Sequence, residues 1–472
     1  MVLSKNLDEN IAKLDALLGI GKAFDVQSRA FKVLNKRVQM YYIDGLVDNL
    51  EIISVMEQIL HLPKDKDYDD FFEILYNNIP HKGAEVLENI DEIYEIILTG
   101  VLLFLVEDSD KALSIETRGY PVRSIDEPDL EKVIRGSHEG FTEALSLNIG
   151  LLRRKIHDGK LRNEIFKIGN KSKYDVCLSY IEGECDPDLL EDVRNKLKNV
   201  KIDHLIMTDK ALEELIAYQR FNPYPLVRYT ERPDVVGVHL YQGKFAIFVD
   251  TSPSVILAPA TFFDHLQHTE EFRQSPLSGT YIRLLRIIGV FLSTFLTPIW
   301  LLVVMYDINV PEIFSIFAPD DAIKISIFLQ IIAAEIGVEF LRMASIHTPS
   351  SLSTAMGLVA GILLGDIAIQ IGVFSIQTVF LVAISAIGGY LTPSYELSLA
   401  NKLSKLLFLV VIFIFGIIGF AIIFFMWLIF LISLKSFNTR YMYSLFPFNW
   451  KDLKNTLIRK PTKENDNAET KL

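Results

Sequence analysis

Cysteine is scarce in this 472-residue chain: Cys177 and Cys185 are the only two. Their spacing is neither a CxxC pair nor a disulfide framework, which argues against a stapled secreted fold and fits a reducing compartment. Both read as core or surface thiols. Positive charge is also in short supply. With 47 Lys and Arg against 59 Asp and Glu, the formal net charge is −12. No basic stripe interleaved with aromatics occurs, so nucleic acid is not an expected partner. There is no glycine-rich phosphate loop and no tandem repeat, and no cofactor is expected. The opening MVLSKNLDENIAKLDALLGIGKAF lacks an uninterrupted apolar run, because Asp8, Glu9, Lys13 and Asp15 break it. It does not read as a secretory leader.

What the chain does have is segregation. Residues 1–280 are rich in charge, whereas 284–434 carry few charges and several long apolar runs. The expected architecture is an α/β cytoplasmic domain of two subdomains followed by an α-helical polytopic membrane domain. Its divisions are 1–158, 159–280 and 281–436, with a cytoplasmic tail at 437–472 whose end, PTKENDNAETKL, reads as disordered.

In the first subdomain the pattern predicts helix over 7–32, a buried strand at 38–48 ending at Asp44-Gly45, and helices at 49–60 and 69–77. TGVLLFLVED (99–108) is too short to span a bilayer and reads as a central strand, with another at 111–119. In the second, a strand is expected at 174–181 and a helix opening at Asp186-Pro187. The helix ALEELIAYQ follows, then a strand series from VVGVHLYQ to VILAP with a hairpin turn at Gln242-Gly243.

Five apolar segments follow: 284–305, 323–345, 352–373, 378–393 and 406–434. A span needs roughly 20 apolar residues. The acidic loop around 306–322 has no Lys or Arg, which puts it outside and 1–283 inside. The basic tail (Lys435, Arg440, Lys451, Lys454, Arg459, Lys460) also reads as inside. Five crossings would contradict that, so four spans plus one re-entrant or interfacial segment are expected, with 323–345 or 378–393 as the exception.

The apolar segments carry polar residues that need an explanation. Asp366 and Gln370 sit in GLVAGILLGDIAIQIGVFS, and Glu335, Glu339 and Arg342 form one stripe on the preceding segment. An ionisable group at membrane depth is costly and by default marks an ion path. On that reading Asp366, Gln370, Glu335 and Glu339 line or support a path, and Val359, Leu363 and Leu364 form an apolar constriction. The alternative is helix packing: Gly357, Gly361, Gly365 and Gly372 share a small-residue face that lets helices approach, and Asp366 pairs with Arg342 or backbone. The charged stretch ETRGYPVRSIDEPDLEKVIRGSHEGF (116–141) is either a solvated loop or a subunit interface using Glu116, Arg118, Arg123, Asp126, Glu127 and Arg135. His265 and His268, with Asp264 and Glu270, could be written as metal ligands. That spacing is weak beside HExxH, and a polar juxtamembrane helix is the plainer reading. No metal site and no catalytic constellation are expected, and the chain does not read as an enzyme.

Four stretches resemble one family: YYIDGLVD (41–48), ETRGYPVRSIDEPDLEKVIRGSHEGFTEALSLNIGLLRRKI (116–156), NPYPLVRYTERPD (222–234) and TPSYELSLANKL (392–403). It is the GerA family of spore germination proteins, in its A-subunit type. VDTSPSVILAPATFFDHLQHTEEFRQSP (249–276) and HTPSSLSTAMGLVAGILLGDIAIQ (347–370) look most like the SpoVAF branch. The resemblance implies a multi-pass protein of the inner spore membrane with its N-terminal domain and tail on the spore-core side. It also implies a homo-oligomeric, pentameric ion channel that releases monovalent cations in response to, or downstream of, germinant receptors. Its implied partners are itself, other inner-membrane germination proteins and the bilayer. A non-conducting receptor or scaffold subunit that passes on a nutrient signal is the second possibility.

Overall fold

The computed structural model describes residues 2–62, 71–79, 83–119, 128, 131, 133–171, 173–203, 205, 207–217, 221–306, 325–347, 357 and 361–461. The chain forms two compact units. One comprises the described residues of Met1–Tyr218 and Val227–Pro259, the other those of Gln219–Leu226 and Ala260–Ala468.

The first unit is α/β and is built twice over. Its first half runs α1 (Leu7–Leu18), β1 (Val26–Val33), β2 (Lys36–Ile43), α2 (Asn49–Leu60), α3 (Phe71–Asn78), β3 (Ala84–Leu87), α4 (Ile90–Ile97), β4 (Leu102–Val106) and β5 (Ala112–Ile115). The second runs α5 (Leu145–Lys155), β6 (Leu161–Ile168), β7 (Tyr174–Ile181), α6 (Pro187–Asn199), α7 (Thr208–Ala217), β8 (Arg228–Thr230), α8 (Pro233–Tyr241), β9 (Phe245–Val249) and β10 (Val255–Ala258). The order of helices and strands is the same in both. So is the sheet order, β1-β2-β4-β5-β3 and β6-β7-β9-β10-β8, antiparallel throughout. The fold repeats without a repeat in the sequence, because burial pattern rather than residue identity sets each element.

Strand β4 shows how the sequence builds the first sheet. LLFLV is buried at every position. Alternation sends Leu103 and Leu105 toward α1 and α4, and Leu102, Phe104 and Val106 toward α2 and α3. The sheet is therefore covered on both faces, which is why its central strand is apolar without interruption. Asn6, Asp48, Asn89 and Asp186 cap α1, α2, α4 and α6 by accepting from the second backbone N–H beyond them.

Two sequence expectations fail here. The helix expected over 7–32 stops at Leu18, where Gly19 closes it in the left-handed region (φ +67°), and Val26–Val33 is a strand. The VVGVHLY segment is helix α8, opened by Pro233 at its first position, and Gln242-Gly243 is its exit rather than a hairpin turn. Helix α5, placed before the division at 158, packs in the core of the second half with β7, β9 and α8.

The two halves are joined by buried charge. Asp25 and Arg153 are both essentially inaccessible. Arg153 Nη2 and Nε donate to Asp25 Oδ2 at 2.8 and 3.1 Å. Asn163 Nδ2 donates to Asp25 Oδ1 at 3.0 Å, and Ser179 Oγ donates to Asn163 Oδ1 at 2.7 Å. Arg153 also reaches the Asp158 and Leu161 carbonyls. Beside this network, a Cβ on Gly150 would stand 2.6 Å from the Gly45 carbonyl oxygen, so the turn after β2 and helix α5 meet backbone to backbone.

The second unit is helical: α9 (Thr269–Arg273), α10 (Pro276–Met305), α11 (Ile327–His347), α12, α13 (Ile376–Tyr390), α14 (Tyr395–Ser433), a two-strand turn β11–β12 (Lys435–Ser436, Thr439–Arg440) and α15 (Trp450–Leu457). Segment α12 is π-helical over Ile362–Ile367 and α-helical over Ala368–Gln370. Pro276–Met305 and Tyr395–Ser433 are long and apolar enough to cross a membrane.

The sequence reads 406–434 as one long helix, but α14 reverses at Gly416, whose φ +64° and ψ −150° are non-helical. The rings of Phe408 and Trp427 are 5.9 Å apart; a straight helix would separate those residues by about 28 Å. Tyr306, at the end of α10, sits at the tip. Its hydroxyl accepts from Ile417 N–H at 3.1 Å, where a Cβ on Gly416 would collide with it. The arms 395–415 and 417–433 are thus about 32 and 26 Å long. Leu397, Ala400 and Leu431 pack near Val290, whereas Leu409 and Ile412 pack with Trp300 and Leu301. Both ends of α14 therefore lie at the N-terminal end of α10. Helix α13 runs antiparallel to α10, with Gly388 against Gly289 and Ser385 Oγ donating to the Ser293 carbonyl at 3.1 Å.

Candidate functional site

The polar residues of α11 turn inward. Gln330 lies at the far end of the bundle from the ends of α14 and is fully buried. Its Oε1 accepts from Ser375 N–H and Thr378 Oγ1 at 2.8 and 3.1 Å, and its Nε2 donates to the Ile325 carbonyl. Every polar atom of that amide is used, and it fastens α11 to the start of α13.

Glu335 and Glu339 meet two lysines on the first arm of α14. Lys405 Nζ is 2.6 Å from Glu335 Oε1 and donates to Ser385 Oγ at 3.0 Å. Lys402 Nζ is 2.7 Å from Glu339 Oε2, and Arg342 pairs with the other oxygen of Glu339. Arg342 lies over the Tyr395 ring at 4.7 Å, and Lys402 over Tyr390 at 5.9 Å. Two carboxylates at i, i+4 face two ammonium groups at i, i+3 on a neighbouring helix, so α11, α13 and α14 share one charged layer inside the bundle. Lys402 and Lys405 were missed at the sequence level. The signal is present in KLSKLLFL: two lysines one turn apart at the mouth of an apolar run, complementary in spacing to the acids of α11.

Asp366 is placed differently. It lies on the π-helical turn of α12 and is exposed, as is Gln370. Among the described residues nothing pairs with Asp366, and Arg342 is committed to Glu339. A Cβ added to Gly357, Gly361, Gly365 or Gly372 would meet nothing within 4 Å. Among the described residues the glycines of α12 are thus not packed against another helix, and Gly372, in the left-handed region at φ +77°, lies past the end of α12 rather than on its face as the sequence suggests. π-Turns inside helices recur at functional sites. Val359 and the side chains of Leu363 and Leu364 lie outside the described residues.

Of the charged stretch, Arg123, Asp126 and Glu127 lie outside the described residues. Arg118 pairs with Glu116 at 3.1 Å and donates to Thr99 Oγ1, which ties it to its own half. Arg135 is exposed. Asp264 accepts from Thr261 N–H and Oγ1, and His268 caps α9. Among the described residues no group of three His, Cys, Asp or Glu side chains is arranged to hold a metal. Cys177 and Cys185 are both buried and free. Burial raises both thiol pKa values, that of Cys185 to about 12.

The family model described as Bacillus/Clostridium GerA spore germination protein matches residues 14–470. Stage V sporulation protein AF of Bacillus subtilis (strain 168) is 44% identical over 443 residues, 94% of this chain and 90% of that protein. Spore germination protein KA of the same strain is 30% identical over 98% of this chain and 86% of that protein. The crystal structure of the N-terminal domain of the A subunit of the Bacillus megaterium spore germinant receptor GerK3 is 30% identical. It is similar with a TM-score of 0.44, covering 56% of this chain and 98% of that domain.

Proposed function

Because the chain belongs to the GerA family of spore germination proteins, we propose that it is a multi-pass protein of the inner spore membrane whose copies form a cation channel of germination. The assembly is a homo-oligomer, pentameric by the family resemblance, and it conducts monovalent cations released in response to, or downstream of, germinant receptors. It acts with other inner-membrane germination proteins and carries out no enzymatic step.

The observation that carries this reading is the placing of Asp366. A carboxylate on the outer face of an apolar bundle cannot stand against lipid. It needs water or a second copy of the chain, and the open glycine face beside it lets another helix approach closely. Around a shared axis, Asp366 and Gln370 would face the path, with Val359, Leu363 and Leu364 as an apolar constriction. Glu335 and Glu339 would support the path from behind through Lys405 and Lys402.

The fold-back at Gly416 supports an even number of crossings. α11 runs from Gln330, beside the start of α13, to Arg342, beside Tyr395 at the start of α14; with a crossing by the 352–373 segment between them, the helices and the two arms of α14 would alternate in direction and return the basic tail to the side where α10 begins. The segregation of positive charge is then satisfied without setting one segment aside as re-entrant.

One observation favours a non-conducting scaffold: the acids and bases of α11 and α14 are already paired within one chain. Proteoliposomes containing the purified full-length protein decide between the two. A channel dissipates a potassium or sodium gradient. Asp366→Asn then changes cation preference, and Leu363→Ala or Val359→Ala leaks. A scaffold leaves the gradient intact in all four preparations.

A further inference from the structure

Immediately after α14, the chain changes charge. From Lys435 to Lys460 it carries six basic residues against one acid, Asp452, in a protein of net charge −12. Asp452 is turned inward, where Tyr443 and Asn449 donate to its Oδ2 at 3.2 and 2.7 Å. Lys435, Arg440, Lys451 and Lys454 are exposed, and Lys435 sits across from Arg440 in β11–β12. Large apolar side chains are exposed beside them. Phe448 is 67% and Trp450 63% accessible, and their rings lie 6.3 Å apart.

The position of this segment is fixed by α10. Arg283, itself buried, donates from Nε to Glu271 Oε2 at 2.8 Å and from Nη1 to the Asn455 and Thr456 carbonyls at the end of α15. Arg459 N–H donates to Thr280 Oγ1. Helix α15 is thereby held level with residues 280–283. At that level α10 still presents the outer end of a continuous exposed apolar stripe, Leu277, Tyr281, Leu284, Ile288 and Phe291. Side chains spaced by three and four residues on one face of a crossing helix point to lipid, and the stripe runs past α15 rather than ending before it.

We propose that the segment from Lys435 to Ile458 is a lipid-binding collar that lies on the bilayer surface and takes anionic headgroups. Lys435, Arg440, Lys451 and Lys454 meet the phosphates, while Phe448 and Trp450 enter the boundary with the acyl chains. Clustered basic residues next to a crossing helix are drawn to anionic lipid, and aromatic side chains partition into the interface. This rests on the membrane reading above.

The test is hydrogen exchange of the full-length protein in nanodiscs of phosphatidylcholine alone or mixed with phosphatidylglycerol. Exchange of 446–458 should be about tenfold slower with the anionic lipid, the scale expected when several basic groups engage a charged surface. High salt should reverse the difference, and soluble glycerol phosphate should not reproduce it. Replacing the four basic residues with glutamine should abolish the lipid dependence. Phe448→Ser with Trp450→Ser should speed exchange in both discs. Equal exchange in the two lipids, with 287–302 protected in both, overturns the collar while leaving the membrane reading standing. Slowing by glycerol phosphate alone overturns the bilayer as the occupant. Fast exchange of 287–302 in both discs overturns the membrane reading and the collar with it.

Discussion

The α/β unit and the helical unit both bury ion pairs, and they do it in different ways. In the first, Asp25 meets Arg153 across the seam of two like halves. The remaining capacity of both groups is met by Asn163 and by backbone carbonyls. In the second, Glu335 and Glu339 meet Lys405 and Lys402 between helices, while Asp366 is left on the outside. The first pattern closes on itself and needs nothing further. The second pairs the charges of α11 with those of α14 inside the bundle, and among the described residues it leaves Asp366 exposed with nothing paired to it. Fully paired charge marks a joint, and charge left unpaired on an apolar face is where the proposed function has to be tested.

The largest effects should come from breaking one partner of a buried pair. Asp25→Ala strands Arg153 and should cost about 3–5 kcal/mol, read as a fall in the melting temperature of the purified protein. Lys405→Met should cost a similar amount by stranding Glu335. The double replacement Glu335→Gln with Lys405→Met should recover most of it, because matched removal of a pair is far cheaper than removal of one side. If the double variant is no better than the single, the pairing in the helical unit is not the joint described.

Next in size is the reversal of α14. Gly416→Ala forces a side chain into a backbone region open in practice only to glycine, at about 1–3 kcal/mol, and drives its Cβ toward the Tyr306 hydroxyl. Loss of detergent-resistant folding is expected. Tyr306→Phe, which removes only the acceptor for Ile417 N–H, should cost about 1 kcal/mol. Equal, negligible effects from both would leave α14 without a tight turn at that point.

Asp366→Asn should sharpen the contrast from the other side. An exposed residue with no partner among the described residues should change melting by less than about 0.5 kcal/mol, while altering ion flux in proteoliposomes. A large loss of stability in monomeric protein would instead place Asp366 in an internal joint. The smallest effect concerns the thiols. Burial raises the pKa of Cys185 to about 12 and of Cys177 further, so neither is a thiolate at neutral pH. Both should resist alkylation in the native protein and react once it is unfolded, and prompt labelling of either would show that the second half opens locally.

Much of the α/β unit is legible because local signals agree there. The Asp48 and Asp186 caps, Pro187 at a first helical position and the apolar run of β4 each specify one element. The exceptions have physical causes. Residues 20–32 carry mixed polarity that suits an outer strand as well as a helix, and pairing with β2 along its whole length decides for the strand. VVGVHLY has the branched residues of a strand, and the proline that opens it and its packing on α5 make it a helix.

By itself, the sequence determined the separation of a charged α/β region from an apolar helical one, the family and the presence of costly polar groups among the apolar helices. Those follow from composition and short-range pattern, which the chain carries at every residue. Tertiary structure alone decided that the first region is one fold used twice, and that the acids of α11 are matched by lysines 63 and 70 residues away. It alone decided that a glycine of φ +64° turns one long apolar run into two arms. Each of these depends on which distant residues come together, and a buried charge or a left-handed glycine takes its meaning from the partner it meets.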